Sequence, residues 1–74
     1  MALKTSARNQ LPGVITAIKL GEVMAQVNVQ VGDNHVVSAI TRDSVEDLGL
    51  KVGDAVLVVI KSTEVMIARD DQSE

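Results

Sequence analysis

The sequence predicts an all-β fold with one short helix, in a single domain, and three observations carry that prediction. Apolar residues make up 46% of the chain while none is Phe, Trp or Tyr, so Val, Ile, Leu and Ala must build the core. Small β-branched side chains suit closely packed strands. A period-two alternation runs from Val23 to Val31, and only the stretch 41–50 carries helix signals at both ends. With 74 residues there is room for one domain at most, and a chain of this size buries only about 60% of its unfolded surface.

Taken in order, residues 3–9 read as a leading edge strand or an extra arm. Gly13 to Leu20 is β-branched and bounded by Pro12-Gly13 and Gly21, which reads as a strand between turns. Val23, Ala25, Val27, Val29 and Val31 then alternate with Met24, Gln26, Asn28 and Gln30, as in a half-buried antiparallel strand. Gly32-Asp33-Asn34 accepts positive φ and closes a hairpin into a strand over His35–Thr41. Thr41 supplies an N-cap oxygen, Val45 and Leu48 an apolar face and Gly49 a stop, predicting the one short helix. Val52-Gly53-Asp54 turns the chain into Ala55–Ile60, six consecutive apolar residues that predict a strand covered on both faces. A last strand is expected over Glu64–Ala68, after a bend at Ser62-Thr63. This order fits an OB-like five-stranded Greek-key barrel, with the domain spanning 1–69 and a disordered acidic tail at 70–74.

A core this thin must offset roughly 1.5 kcal/mol of ordering entropy per residue. With no cysteine and one histidine, disulfides and a structural metal are poor sources of extra stability, so a homo-oligomer is expected. The outer face of 55–60 is the candidate interface. The net charge of -3 comes from the tail, because without Asp70, Asp71 and Glu74 seven cations face seven acids. A neutral body without aromatic rings offers neither the basic field nor the stacking platform that nucleic acid needs. No segment has the apolar length of a membrane span or a signal peptide, and a cytoplasmic protein is expected.

Catalysis finds little support, and no enzymatic activity is expected. His35 lies beside a hairpin without a second His or any Cys to complete a site, and the five glycines are dispersed at turns. Asp43, Glu46 and Asp47 suit the exposed face of a helix better than a cation site. Two polar stretches contain no acid: Thr5-Ser6-Ala7-Arg8-Asn9, in which Ser6 and Arg8 share a face if the segment is extended, and Lys61-Ser62-Thr63, which ends the most apolar strand. A guanidinium fork, an ammonium, hydroxyls and backbone N–H groups form a donor set for a tetrahedral oxyanion. The same residues also admit a reading in which Arg8 and Lys61 extend from strand ends into solvent and the hydroxyls cap turns.

Thr-Ser-Ala-Arg-Asn-Gln-Leu-Pro-Gly at 5–13, the stretch 38–50 and Val-Ile-Lys-Ser-Thr-Glu-Val-Met-Ile-Ala at 59–68 resemble the molbindins, the small Mop proteins. The resemblance implies an OB-like barrel, a hexamer assembled as a trimer of dimers, and bound molybdate or tungstate in sites between subunits, without a catalytic cofactor. Carried over position by position, it implies anion contacts from Ser6, Arg8, Lys61 and Ser62, with further contacts from Thr41 and Ser44. Ala7, through its backbone, and Asn9 are weaker candidates. No metal atom is coordinated directly by protein in this reading; storage or homeostasis of the ion is the implied role. A ligand-free assembly module and a nucleic-acid-binding OB domain are the alternatives.

Overall fold

The computed structural model describes residues 3–71. β1 (Asn9–Leu20), β2 (Met24–Val31) and β3 (Asn34–Thr41) form an antiparallel meander. The helix α1 (Arg42–Leu48) then leads to β4 (Ala55–Ile60), and a single 3-10 turn follows at Ser62–Glu64. The sheet has four strands in the order β3-β2-β1-β4 and is not closed.

β1 starts earlier than the sequence reading, at Asn9, and runs straight through Pro12-Gly13. Proline is tolerated because only β4 pairs with this half of the strand. β2 joins from Val14 onward, so the missing N–H has an open side to occupy. Gly13 sits at this change of neighbours. A Cβ there would lie 2.6 Å from the Gln30 carbonyl oxygen and 2.6 Å from Val29 Cγ1, so only glycine lets β1 pass the end of β2 this closely. An irregularity between Ile15 and Ala17 follows, and the extra residue allows Ile15 and Ile18, three apart, both to meet the core.

The buried core consists of Ile15, Ala25, Val27, Val29 and Val45. β2 supplies three of these through its alternation, as the sequence predicts, except that Val23 falls before the strand and is exposed. Its carbonyl instead accepts from the Arg42 N–H at 2.8 Å, tying the start of α1 to the β1–β2 turn.

Helix boundaries agree with the local signals. Thr41 is the N-cap, its Oγ1 accepting the Ser44 N–H at 3.1 Å. Gly49 takes φ 62, its N–H donating to Glu46 O while Leu50 N–H donates to Val45 O, so the last turn is satisfied and Val45 is directed into the core. Thr41→Ala removes the cap acceptor and is expected to lower stability by about 1 kcal/mol, read from chemical denaturation at fixed protein concentration.

Two expectations are corrected. No strand forms at 64–68 among the described residues: Glu64 closes the 3-10 turn, and Val65, Met66 and Ile67 are exposed with no neighbouring strand. A strand exists only where its N–H and C=O groups find a partner, and apolar sequence alone does not supply one. The run 55–60 is not covered on both faces either, since none of its residues is fully buried. Beneath it lies an apolar trough of about 350 Å³ lined by Ile15, Val27, Ile40, Leu50, Val56 and Val58, among others. The leading segment 3–8 is an arm rather than a strand. Of the expected disordered tail at 70–74, residues 72–74 lie outside the described residues, and Asp70 and Asp71 are exposed.

Candidate functional site

The β1–β4 ladder ends on the pair Asn9 and Ile60, and that rung brings the two acid-free stretches together. Arg8 immediately precedes β1 at this rung, and Lys61 immediately follows β4. The Asn9 side-chain amide reinforces the rung by donating to the Ile60 carbonyl oxygen at 3.3 Å. Asn9, a weaker contact candidate in the sequence reading, is thus engaged in joining the arm to β4.

Two recesses open around the arm. One is lined by Thr5, Ser6, Ala7, Val59, Lys61, Ser62 and Thr63, so both polar stretches meet across it. Arg8 lines the other, with Thr5, Ser6, Ala7 and Gln10. The three residues Thr5 to Ala7 are common to both recesses, while Arg8 and Lys61 do not share one within a single chain. Neither recess has a carboxylate in its wall. Arg8, Lys61 and Ser62 are exposed, and among the described residues neither cation forms an ion pair; the pair present is Arg42–Glu46 at 3.2 Å, on the helix. Two cations without an ion-pair partner among the described residues, beside hydroxyls and backbone N–H groups, make an environment that attracts a small anion.

Thr41 and Ser44 lie elsewhere. β3 ends at Thr41 opposite Met24, where β2 begins, and this is the far end of the sheet from the Asn9–Ile60 rung. Their hydroxyls are 2.8 Å apart and take part in the helix cap. Within one chain they do not converge with Arg8 or Lys61.

Gln10 is the residue that sequence reasoning passed over. Its side-chain amide donates to the Ala7 carbonyl oxygen at 3.0 Å, and it lines the Arg8 recess. The signal was available, because the alternation that pairs Ser6 with Arg8 extends by two to Gln10. Among the described residues no group of three or more His, Cys, Asp or Glu side chains suits a metal ion, and no helix is long and apolar enough to cross a membrane.

The TOBE domain model matches residues 5–67. Molybdenum-pterin-binding protein 3 of Clostridium pasteurianum is 50% identical over 66 residues, covering 88% of this chain and 97% of that protein. MopII from Clostridium pasteurianum superposes with a TM-score of 0.84 at 46% identity, covering 89% of this chain and all of that one. A molybdate-binding protein from Sporomusa ovata superposes with a TM-score of 0.86 at 39% identity, over 90% of this chain and 100% of the other.

Proposed function

This chain belongs to the TOBE domain family, among relatives that are molybdenum-pterin-binding (Mop) proteins, and on that premise we propose that it binds molybdate or tungstate reversibly, as an oxyanion, in sites completed between subunits. The observation that carries the proposal is the recess in which Lys61, Ser62 and Thr63 face Thr5, Ser6 and Ala7 with Arg8 beside it and no acid in the wall.

Ser6, Arg8, Lys61 and Ser62 hold the ion through charge and donated hydrogen bonds; the Ala7 N–H, a weaker candidate, donates to Thr5 Oγ1 at 3.2 Å. A site whose charged groups are two cations, with no carboxylate in the wall, favours a fully deprotonated dianion over a singly charged, protonated phosphate. The relatives' names include a pterin, but a flat pterin ring is best held by stacking, and this chain has no aromatic side chain. The bare oxyanion is therefore the favoured ligand.

Intersubunit placement draws support from three features. Arg8 and Lys61 line different recesses that share Thr5, Ser6 and Ala7. Thr41 and Ser44 lie at the far end of the sheet, from which they reach such a site only as part of a second copy. The trough under β4 and the exposed Val65, Met66 and Ile67 leave apolar surface that association removes from water. In this proposal the domain spans 1–69 and assembles as a hexamer, a trimer of dimers. The five-stranded Greek-key barrel closes only in that assembly, where an extended segment such as 65–68 lies along an open sheet edge. The role is storage or homeostasis of the ion in the cytoplasm, a reducing compartment with which a chain lacking cysteine is compatible.

Calorimetric titration of the purified protein with sodium molybdate, tungstate, sulfate and phosphate, with no pterin added, tests the reading. Three or four charge-assisted hydrogen bonds at roughly 1.5–3 kcal/mol each support micromolar affinity for the first two. No heat with either at micromolar concentration sinks the proposal and leaves a ligand-free assembly module in its place.

A further inference from the structure

We propose that Gln10 is a positioning residue of the oxyanion site, holding the backbone on both sides of Ala7 in register together with Thr5; this rests on the oxyanion reading above. The arm before Asn9 has no ladder of its own, and residues Thr5, Ser6 and Arg8 are exposed. Left free, each arm residue carries backbone entropy that an arriving ion must overcome. Two hydrogen bonds reduce that freedom. The Ala7 N–H donates to Thr5 Oγ1 at 3.2 Å, and the Ala7 carbonyl accepts from Gln10 Nε2 at 3.0 Å.

These bonds act on different peptide planes. Thr5 fixes the plane between Ser6 and Ala7, and Gln10 fixes the plane between Ala7 and Arg8. A trans peptide is planar, so orienting the Ala7 carbonyl also orients the Arg8 N–H in the opposite sense. Gln10 can do this because its own backbone belongs to a rigid element: it pairs with Val59 in the β1–β4 ladder, one rung from the arm. The ladder, through one side chain, thereby sets the direction of the Arg8 N–H, as preorganised sites require. Gln10 also keeps the Ala7 carbonyl, an acceptor that repels an anion, engaged with a donor.

The test compares molybdate affinity, melting midpoint and oligomer size in the full chain and four variants. Gln10→Met keeps the side-chain length and removes the donor; Thr5→Val keeps the shape and removes the acceptor. Each is expected to weaken molybdate binding about tenfold, the equivalent of one hydrogen bond, while the melting midpoint and oligomer stay as in the wild type. Thr5→Ser restores wild-type affinity. The double variant Thr5→Val/Gln10→Met loses less than the product of the single losses, because both residues act on the backbone of Ala7.

Wild-type affinity in Gln10→Met overturns the role, as does a loss matched by a fallen melting midpoint or a smaller oligomer. If the wild type binds no molybdate at all, the oxyanion reading fails and takes this role with it; if the wild type binds and Gln10→Met binds equally well, only the role fails.

Discussion

Lys61→Ala and Arg8→Ala are each expected to weaken molybdate binding by roughly a hundredfold, to the edge of detection for a micromolar site, without changing the fold. Each change removes a charge-assisted hydrogen bond worth about 1.5–3 kcal/mol. Neither side chain is buried or packed against the core, and neither has an acid partner among the described residues, so no carboxylate is left stranded and stability is unaffected. Calorimetry with molybdate, alongside a melting curve for each variant, separates the two effects. Arg8→Lys should recover little, because a point charge does not reproduce the planar fork of a guanidinium. Binding should also weaken as salt rises, since both cations are open to solvent. Unchanged affinity in both alanine variants would clear these residues of the role and return them to strand ends reaching into water.

Gly13→Ala should be the most damaging small substitution in the fold. The added methyl meets the Gln30 carbonyl oxygen and Val29 Cγ1, both at 2.6 Å. A backbone oxygen in a paired strand cannot move aside as a flexible side-chain end does. Overpacking of this kind costs about 3 kcal/mol, and in a domain of this size that lowers the melting midpoint by roughly 15 °C. Gly32→Ala serves as the comparison. Nothing lies within 4 Å of a Cβ at Gly32, and its cost comes only from φ +58, about 1–2 kcal/mol. Equal losses in the two variants, at matched protein concentration, would show that the contact between β1 and β2 is not what demands glycine at position 13.

The parts of the fold that were legible in the sequence are those encoded locally. The helix was found almost to the residue because Thr41 and Gly49 are caps, and caps act within one turn. β2 was found through its alternation, and the β2–β3 hairpin through Gly32, whose positive φ makes the first corner of a two-residue loop. Errors arose where identity depends on a neighbour. Pro12-Gly13 looked like a turn because both residues break strands in general, whereas here one side of β1 has no partner at that point. Glu64–Ala68 looked like a strand because its composition suits one, yet the chain offers it no partner.

The site divides along the same line. The types of residue at 5–9 and 61–63, and the absence of acids among them, were readable as anion chemistry. That the two stretches meet at all depends on the register of Asn9 with Ile60, a pairing across 51 positions that no periodicity reveals. Gln10 was missed because an amide at the start of a strand has many possible partners, and its target, the Ala7 carbonyl oxygen, is set by the conformation of an arm that has no ladder.

The change of neighbours along β1 also bears on how the molecule comes apart. β4 joins the rest of the sheet through the first half of β1, and the β2–β3 hairpin through the second half. Losing β1 therefore dissolves both ladders at once, and the five buried residues among those described form one cluster, which leaves no second core among them to sustain either remnant. Fraying is available at the outer edges, but the central strand has no partial way to leave, which makes its release the same event as global unfolding.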